Sequence, residues 1–300
     1  MIELNRHSRV CCAALTVVVT LLAGCHPATP PITVDTLDLV TPDGPVHGFV
    51  ARVNLADPRV RMVVTGALTE ARRVGLPANA DAVLEPTDVW AAKERVTLAV
   101  NANFFTWLGV KKVGEPAEVI GLSMSDGAVV SPAREYHGER DPVLVIDSDR
   151  RARIGRVDPG PRAVEGVAGI GGEEKDAIPG TALVTDGVNT GATARVEPGK
   201  RHPRTGAGVT RDGRTLILCV VDGRQKGYSV GLTLPELADV MIGQNAYEAV
   251  NLDGGGSSSF VYVPRDGKRM MNRPSDGQFR PVANHLGVRL AAPAPDFMSD

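Results

Sequence analysis

Asp-Gly occurs eight times in this chain, at Asp43, Asp126, Asp186, Asp212, Asp222, Asp253, Asp266 and Asp276, and the pair suits the positive φ angles of two-residue hairpin loops. Punctuation of that kind leaves room for many short strands and few long elements. Val209-Thr210-Arg211-Asp212-Gly213-Arg214-Thr215-Leu216 reads as one such hairpin. Only Asp253 is followed by two further glycines and a serine run, in Ala249-Val250-Asn251-Leu252-Asp253-Gly254-Gly255-Gly256-Ser257-Ser258-Ser259-Phe260.

There an apolar run ends in a carboxylate and then in backbone with no Cβ. Successive peptide N–H groups of Gly254, Gly255, Gly256 and Ser257 can then point into one concavity, which suits an anion such as a phosphate. The competing reading is a tight turn between two strands. Ligands of open α/β sheets bind at the carboxyl ends of strands, and a strand-end Asp253 beside an N–H nest fits that pattern.

Candidate strands lie at 60–65, 96–101, 119–124, 142–146, 182–184, 215–221, 249–252, 260–263 and 286–290. Thr233-Leu234-Pro235-Glu236 is a capping box with proline in the first turn, and Leu234, Leu237, Ala238, Met241 and Ile242 then form one apolar face ending near Gly243. Thr87 is placed to cap a shorter helix through Lys93. The fold class expected is α+β: a strand-rich mixed sheet with few helices.

Residues 1–25 read as an address. Arg6 and Arg9 form a positive segment, an apolar stretch comes next over 13–22, and Leu22-Ala23-Gly24-Cys25 looks like a bacterial lipobox. The apolar stretch is shorter than the roughly 20 residues a spanning helix needs. Cys25 is therefore the expected site of lipidation, which would anchor the protein to the membrane at the bacterial cell envelope, facing outside the cytoplasm. Residues 26–31 form a tether, 32–290 one domain and 291–300 an unstructured tail. Once Cys11 and Cys12 leave with the signal, Cys219 is the one thiol left. It sits in a continuous apolar run, as a packed and unreactive group would.

A formal net charge of −2 gives no basic footprint, which argues against nucleic acid as a partner. The histidines lack HExxH or comparable spacing and cysteine pairs are missing, so neither a metal site nor a cofactor is expected. Gly169-Ile170-Gly171-Gly172 completes neither the dinucleotide fingerprint nor the phosphate-loop signature. It reads as part of a segment, about 131–179, that covers a cleft.

Six stretches in order carry a family resemblance: residues 100–105 (Val-Asn-Ala-Asn-Phe-Phe), 203–208 (Pro-Arg-Thr-Gly-Ala-Gly), 221–225 (Val-Asp-Gly-Arg-Gln), 233–238, 251–258, and 272–275 with 280–284. Over about 96–290 the chain resembles the phosphodiester glycosidases related to N-acetylglucosamine-1-phosphodiester α-N-acetylglucosaminidase. It departs from many of them in having Ala102 and Asn103 where they have two glycines, which alters the sugar pocket.

The resemblance implies hydrolysis of a sugar-1-phosphodiester, or a phosphorylated envelope or extracellular glycan, between the anomeric carbon and its oxygen. Glycosidases ordinarily use two carboxyl groups. Here the leaving phosphate is already acidic, so charge stabilisation outweighs protonation. Asp253 is the leading carboxylate and Asp222 the second. Arg204, Arg224 and Arg280 are phosphate candidates, because a guanidinium can contact two phosphate oxygens together. Arg204, with Thr205 beside it, ranks first. Asn101 and Asn103 are read as sugar ligands, with Phe104 and Phe105 as an apolar wall. His285 is a candidate acid or base, set against the stronger expectation of a satisfied core histidine.

Three rivals stand beside this reading. One is a serine hydrolase using Ser257, although Gly256-Ser257-Ser258 lacks the nucleophile-elbow pattern. The others are a non-catalytic lipoprotein that binds phosphorylated glycans and a phosphodiesterase that cleaves P–O.

Overall fold

Alternation within the Thr215–Val221 strand explains the layering. Leu216, Leu218 and Val220 point into a core shared with Val53, Leu98, Val100, Val250, Phe260 and Leu286, whereas Ile217, Cys219 and Val221 point oppositely, toward Leu183, Leu234, Leu237 and Met241. Side chains of a strand alternate between faces, so an unbroken apolar run is what burial on both faces requires.

The computed structural model describes residues 30–133, 135–136, 139–140, 142–156, 168–171, 182–193, 197–264 and 268–291. Two sheets enclose the first of these cores. One has seven strands in the order Ile32–Thr41, Gly44–Asn54, Thr215–Val221, Arg204–Val209, Glu248–Asn251, Ala182–Thr185 and Val188–Asn189; the other has five, Met270–Met271, Phe260–Tyr262, Leu98–Asn101, His285–Leu290 and Val60–Val64. Helix Leu234–Gly243 covers the outer face of the first sheet. On the outer face of the second, helix Thr87–Lys93 packs Trp90 and Ala91 against Ala99 and Val261. The layers are helix, sheet, sheet, helix. A third sheet, containing Pro142–Ile146 and Ala152–Arg156, contributes Leu144, Ile146 and Ala152 to the inter-sheet core.

The strand-rich α+β class is what the chain forms, but every pairing among the described strands is antiparallel rather than mixed. Antiparallel sheets are outside the strand-end rule for open α/β sheets, so that rule does not locate the site here. The capping box forms as read: Thr233 N donates to Glu236 Oε2 at 2.9 Å and Glu236 N donates to Thr233 Oγ1 at 3.3 Å. Thr87 does not cap its helix. Pro86 occupies that position, and the Thr87 hydroxyl is buried inside the first turn with no hydrogen-bond partner among the described residues.

The expected strand at 119–124 is two, Pro116–Val119 and Ser123–Ser125, because Gly121 at φ 77 breaks the extended chain between them. Strands Pro142–Ile146, Ala152–Arg156 and Ala168–Gly171 replace much of the expected covering segment. Residues 134, 137–138, 141, 157–167 and 172–179 of that segment, the signal segment with Cys25, and residues 292–300 lie outside the described residues. Cys219 is fully buried, and burial pushes its thiol up to about 12.

Candidate active site

Gly127, Gly187, Gly213 and Gly277 adopt the positive φ that an Asp-Gly turn uses, whereas Gly223 and Gly254 do not. Asp222 and Asp253 are accordingly strand ends rather than hairpin residues. Thr215–Val221 and Glu248–Asn251 both flank Arg204–Val209 antiparallel, with Val221 opposite Arg204 and Asn251 opposite Gly206. Both aspartates thus leave the seven-stranded sheet at one edge.

From Asp253 the chain crosses to the second sheet, which it joins at Phe260–Tyr262. Asn101 stitches this crossover: its Nδ2 donates to Asp253 O at 2.6 Å, and its Oδ1 accepts from Thr205 Oγ1 at 2.8 Å and Ser259 N at 3.0 Å. Asp253 N donates to Ala102 O at 3.0 Å. Asn101 and Thr205 therefore position the strand end, which corrects their reading as substrate ligands. Asn103 is corrected too. It donates to the Ile120 and Leu122 carbonyls at 2.8 and 2.9 Å and accepts from Asn284 at 2.7 Å, wholly inside the protein.

Each glycine of the turn has a steric reason. A Cβ on Gly254 would stand 2.9 Å from Pro203 O; Gly255 has φ +61, and a Cβ there would lie 3.1 Å from Arg224 Nη1; one on Gly256 would lie 1.9 Å from Arg280 Nη2. Two guanidinium groups rest on consecutive glycines. The amides of Gly255, Ser257, Ser258 and Ser259 donate to Pro203 O, Gly254 O, Gly255 O and Asn101 Oδ1. Two of the four amides of the expected nest, Gly255 and Ser257, are thus bonded within the protein, and the arginines add positive charge beside the turn.

Beside the turn is a cavity of about 440 Å³ lined by Phe104, Phe105, Thr106, Trp107, Ile120, Asp253, Ser257 and Arg280. Phe105 and Trp107 meet edge to face, and Lys111 Nζ stands 3.9 Å above the Trp107 ring. Arg280 pairs with Asp276 through Nε at 2.8 Å and Nη2 at 2.7 Å. A larger cavity, about 590 Å³ near Leu55, Arg61 and Asp126, contains no residue of the glycine turn; size alone does not locate the chemistry. Among the described residues no three His, Cys, Asp or Glu side chains are grouped to hold a metal ion.

Two expected site residues, Arg204 and Asp222, are placed differently, and a third, His285, meets the stronger of its two expectations. Arg204 is 5% exposed, and its Nε and Nη2 donate to Leu232 O at 3.1 Å and Lys200 O at 2.8 Å, so it braces the sheet edge instead of leading the phosphate contacts. Asp222 is 1% exposed. It accepts from Asn272 Nδ2 at 2.9 Å, from Arg273 N at 3.1 Å and from the Tyr228 hydroxyl at 3.1 Å. Burial raises its pKa above the ordinary carboxylate value, against the pull of those donors. His285 is also 1% exposed and stacks on Trp90. Its ring nitrogens face Thr65 Oγ1 at 3.0 Å and Glu85 O at 3.2 Å, and burial pushes its pKa down to about 3. It is a satisfied core histidine, which removes it as an acid or base.

Sequence reasoning missed Trp107 in the cavity wall and His202 beside the turn. His202 lies next to the Pro-Arg-Thr stretch, and that adjacency was the available signal.

A family model described as phosphodiester glycosidase matches residues 94–289. An SPbeta prophage-derived uncharacterized protein of Bacillus subtilis is 32% identical over 206 residues, covering 66% of this chain and 28% of that protein's length. Among solved structures, the catalytic domain of zebrafish N-acetylglucosamine-1-phosphodiester α-N-acetylglucosaminidase, auto-inhibited by its pro-peptide, is similar with a TM-score of 0.61. Identity is 20%, and the match covers 89% of this chain and 86% of that one. A hypothetical protein from Synechocystis has a TM-score of 0.54 at 17% identity, covering 87% of this chain and 62% of that one. At such identities the likeness to these structures is one of fold.

Proposed function

Because the chain belongs to the phosphodiester glycosidase family, we propose that it hydrolyses a sugar-1-phosphodiester at the bond between the anomeric carbon and its oxygen, releasing free sugar and a phosphomonoester. One observation carries the reading: Arg224 and Arg280 rest on Gly255 and Gly256, two and three residues from a strand-end aspartate that lines a cavity with aromatic walls.

The chemistry comes from charge. As the C1–O bond breaks, its electron pair moves to the phosphate oxygen, and preorganised guanidinium groups stabilise that growing negative charge. The leaving group needs little protonation, so a second carboxylic acid is not essential. Asp253 faces the sugar side, where a carboxylate can accept a proton from the attacking water or stabilise an oxocarbenium-like transition state. Phe104, Phe105 and Trp107 offer apolar surface to the sugar ring. Substrates at the bacterial envelope, reached by a protein lipidated at Cys25, are the reading of the Leu22-Ala23-Gly24-Cys25 stretch; Cys25→Ser should leave a precursor without lipid, read by intact mass.

Ser257 beside Asp253 in the same cavity favours one rival, attack at phosphorus. Hydrolysis in ¹⁸O-labelled water decides between them. Label in the sugar supports C–O cleavage, whereas label only in the phosphate overturns it.

A further inference from the structure

Glu197, His202 and Arg224 form a line of contacts that ends on the glycine turn. His202 Nε2 lies 3.2 Å from Glu197 Oε2, and its Nδ1 lies 3.1 Å from Arg224 Nη2. A guanidinium can only donate, so Nδ1 accepts and the Nε2–H donates to the carboxylate. The ring is neutral in this arrangement. Arg224 then reaches Gly255, whose Cβ would stand 3.1 and 3.2 Å from its two terminal nitrogens.

The imidazole is itself held. His202 and Leu232 exchange backbone hydrogen bonds at 3.2 and 3.1 Å. Gly231, at φ +86, and Gly223 press against the His202 backbone so closely that a Cβ would approach it to 2.4 and 3.0 Å. A histidine seated on two glycines and tied to a carboxylate is a built support for the arginine it touches.

We propose that His202 is the positioning residue that aims Arg224 at the substrate's phosphate, and that protonation of His202 releases Arg224. The proposal rests on the phosphate-binding reading of Arg224. Among the described residues, Glu197, Arg204 and Arg224 are the charged groups that face the ring. Lys200 pairs with Glu197 from the same loop, and Arg201 turns away to Asp43 and Glu236. Burial, with the Arg204 and Arg224 charges, holds the imidazole below its ordinary pKa, and Glu197 opposes them. The neutral ring therefore prevails at neutral pH. As pH falls through that lowered value, Nδ1 gains a proton, the acceptor disappears, and an imidazolium faces a guanidinium.

The test uses the full chain, with inorganic phosphate as the probe for calorimetric binding and KM and kcat measured alongside. His202→Ala should weaken phosphate binding about tenfold at neutral pH, the scale of one charge-assisted hydrogen bond. His202→Gln keeps an acceptor for Arg224, so its affinity should stay within about twofold and its acid limb should vanish. Glu197→Gln removes the group that favours protonation and should move the acid limb to lower pH. Arg224→Ala with His202→Ala should bind no more weakly than Arg224→Ala alone. Wild-type binding by His202→Ala, or a loss that adds in full to that of Arg224→Ala, overturns the proposal. If His202→Ala does not fold, His202→Gln and Glu197→Gln carry the test through their pH profiles. Phosphate binding with this pattern but no glycosidic turnover would sink the proposed function alone; turnover with an unaltered acid limb in His202→Gln would sink this inference alone.

Discussion

Two strand ends at one edge of the seven-stranded sheet each carry an Asp-Gly pair, and the fold gives them opposite surroundings. Asp253 begins the crossover between sheets. Asn101 and Ala102 grip its backbone, and the residue lines the cavity with Ser257 and Arg280. Asp222 begins a loop that folds back on itself, so that Tyr228 and Ser229 return to bond its carboxylate and carbonyl while Asn272 and Arg273 close the other side. The course of the chain beyond each glycine makes the difference. A crossover leaves one flank of the strand end open to a cavity, whereas a returning loop covers it. A carboxylate bound by backbone and amide donors fixes a segment, and here it fixes the one that leads to Arg280.

Applying one substitution at both ends is the sharpest way to break this comparison. Asp253→Asn keeps size but removes charge, and should lower kcat about a hundredfold or more, within the range for a positioned acid or base, with little change in melting. Asp222→Asn can keep Oδ1 for Asn272 and Arg273 and turn its amide toward the Tyr228 hydroxyl, so kcat should fall by less than about tenfold, short of that range. Equal losses at both sites, with both variants folded, would return Asp222 to the chemistry.

Gly256→Ala tests the guanidinium seat. The new methyl would lie 1.9 Å from Arg280 Nη2 and 2.5 Å from Asp276 Oδ1, so the ion pair must move. A charged hydrogen bond contributes about 1.5–3 kcal/mol, and its loss should raise KM by roughly ten- to a hundredfold. An unchanged KM would show that Arg280 does not meet the phosphate.

Much of this frame was legible in the chain, and the reasons are local. Apolar alternation and runs mark Pro142–Ile146 and Thr215–Val221 to the residue, and the Thr233 capping box depends on groups three residues apart. The Ile32–Thr41 and Gly44–Asn54 hairpin went unread because half of its first strand is polar and only Ile32 of that strand is buried. Site roles failed where partners are distant. Asn103 is bonded to Ile120, Leu122 and Asn284, and His285 to Thr65 and Glu85. No local pattern distinguishes a polar side chain that meets substrate from one that meets a carbonyl two hundred residues away in sequence, as His285 meets Glu85.

Asp222→Ala separates structure from chemistry at the covered end. It strands the Asn272 amide, the Arg273 N–H and the Tyr228 hydroxyl, at a cost of about 1–3 kcal/mol for an unsatisfied buried group. A fall in melting temperature of roughly 2–4 °C per kcal/mol should accompany it. The pH response has a definite sign. Because the folded pKa of Asp222 is raised above 3.8, the stability it contributes is full below the unfolded value and is lost as pH rises through the folded one. Asp222→Asn should flatten that part of the stability profile. A drop in turnover without any change in melting would contradict the structural role.

The smallest effect belongs to an Asp-Gly pair that is only a turn. Asp126 and Gly127 have φ 47 and 79 between the paired residues Ser125 and Ala128, the mirror-image two-residue hairpin in which Asn-Gly is also favoured. Asp126→Asn should therefore change stability by no more than about 0.5 kcal/mol and leave kcat and KM unchanged. The substitution is chemically identical to Asp253→Asn, so the contrast in kcat isolates what the crossover adds to an aspartate followed by glycine. A kinetic defect in Asp126→Asn, measured beside a normal melting curve, would show that position in this fold does not separate turn aspartates from functional ones.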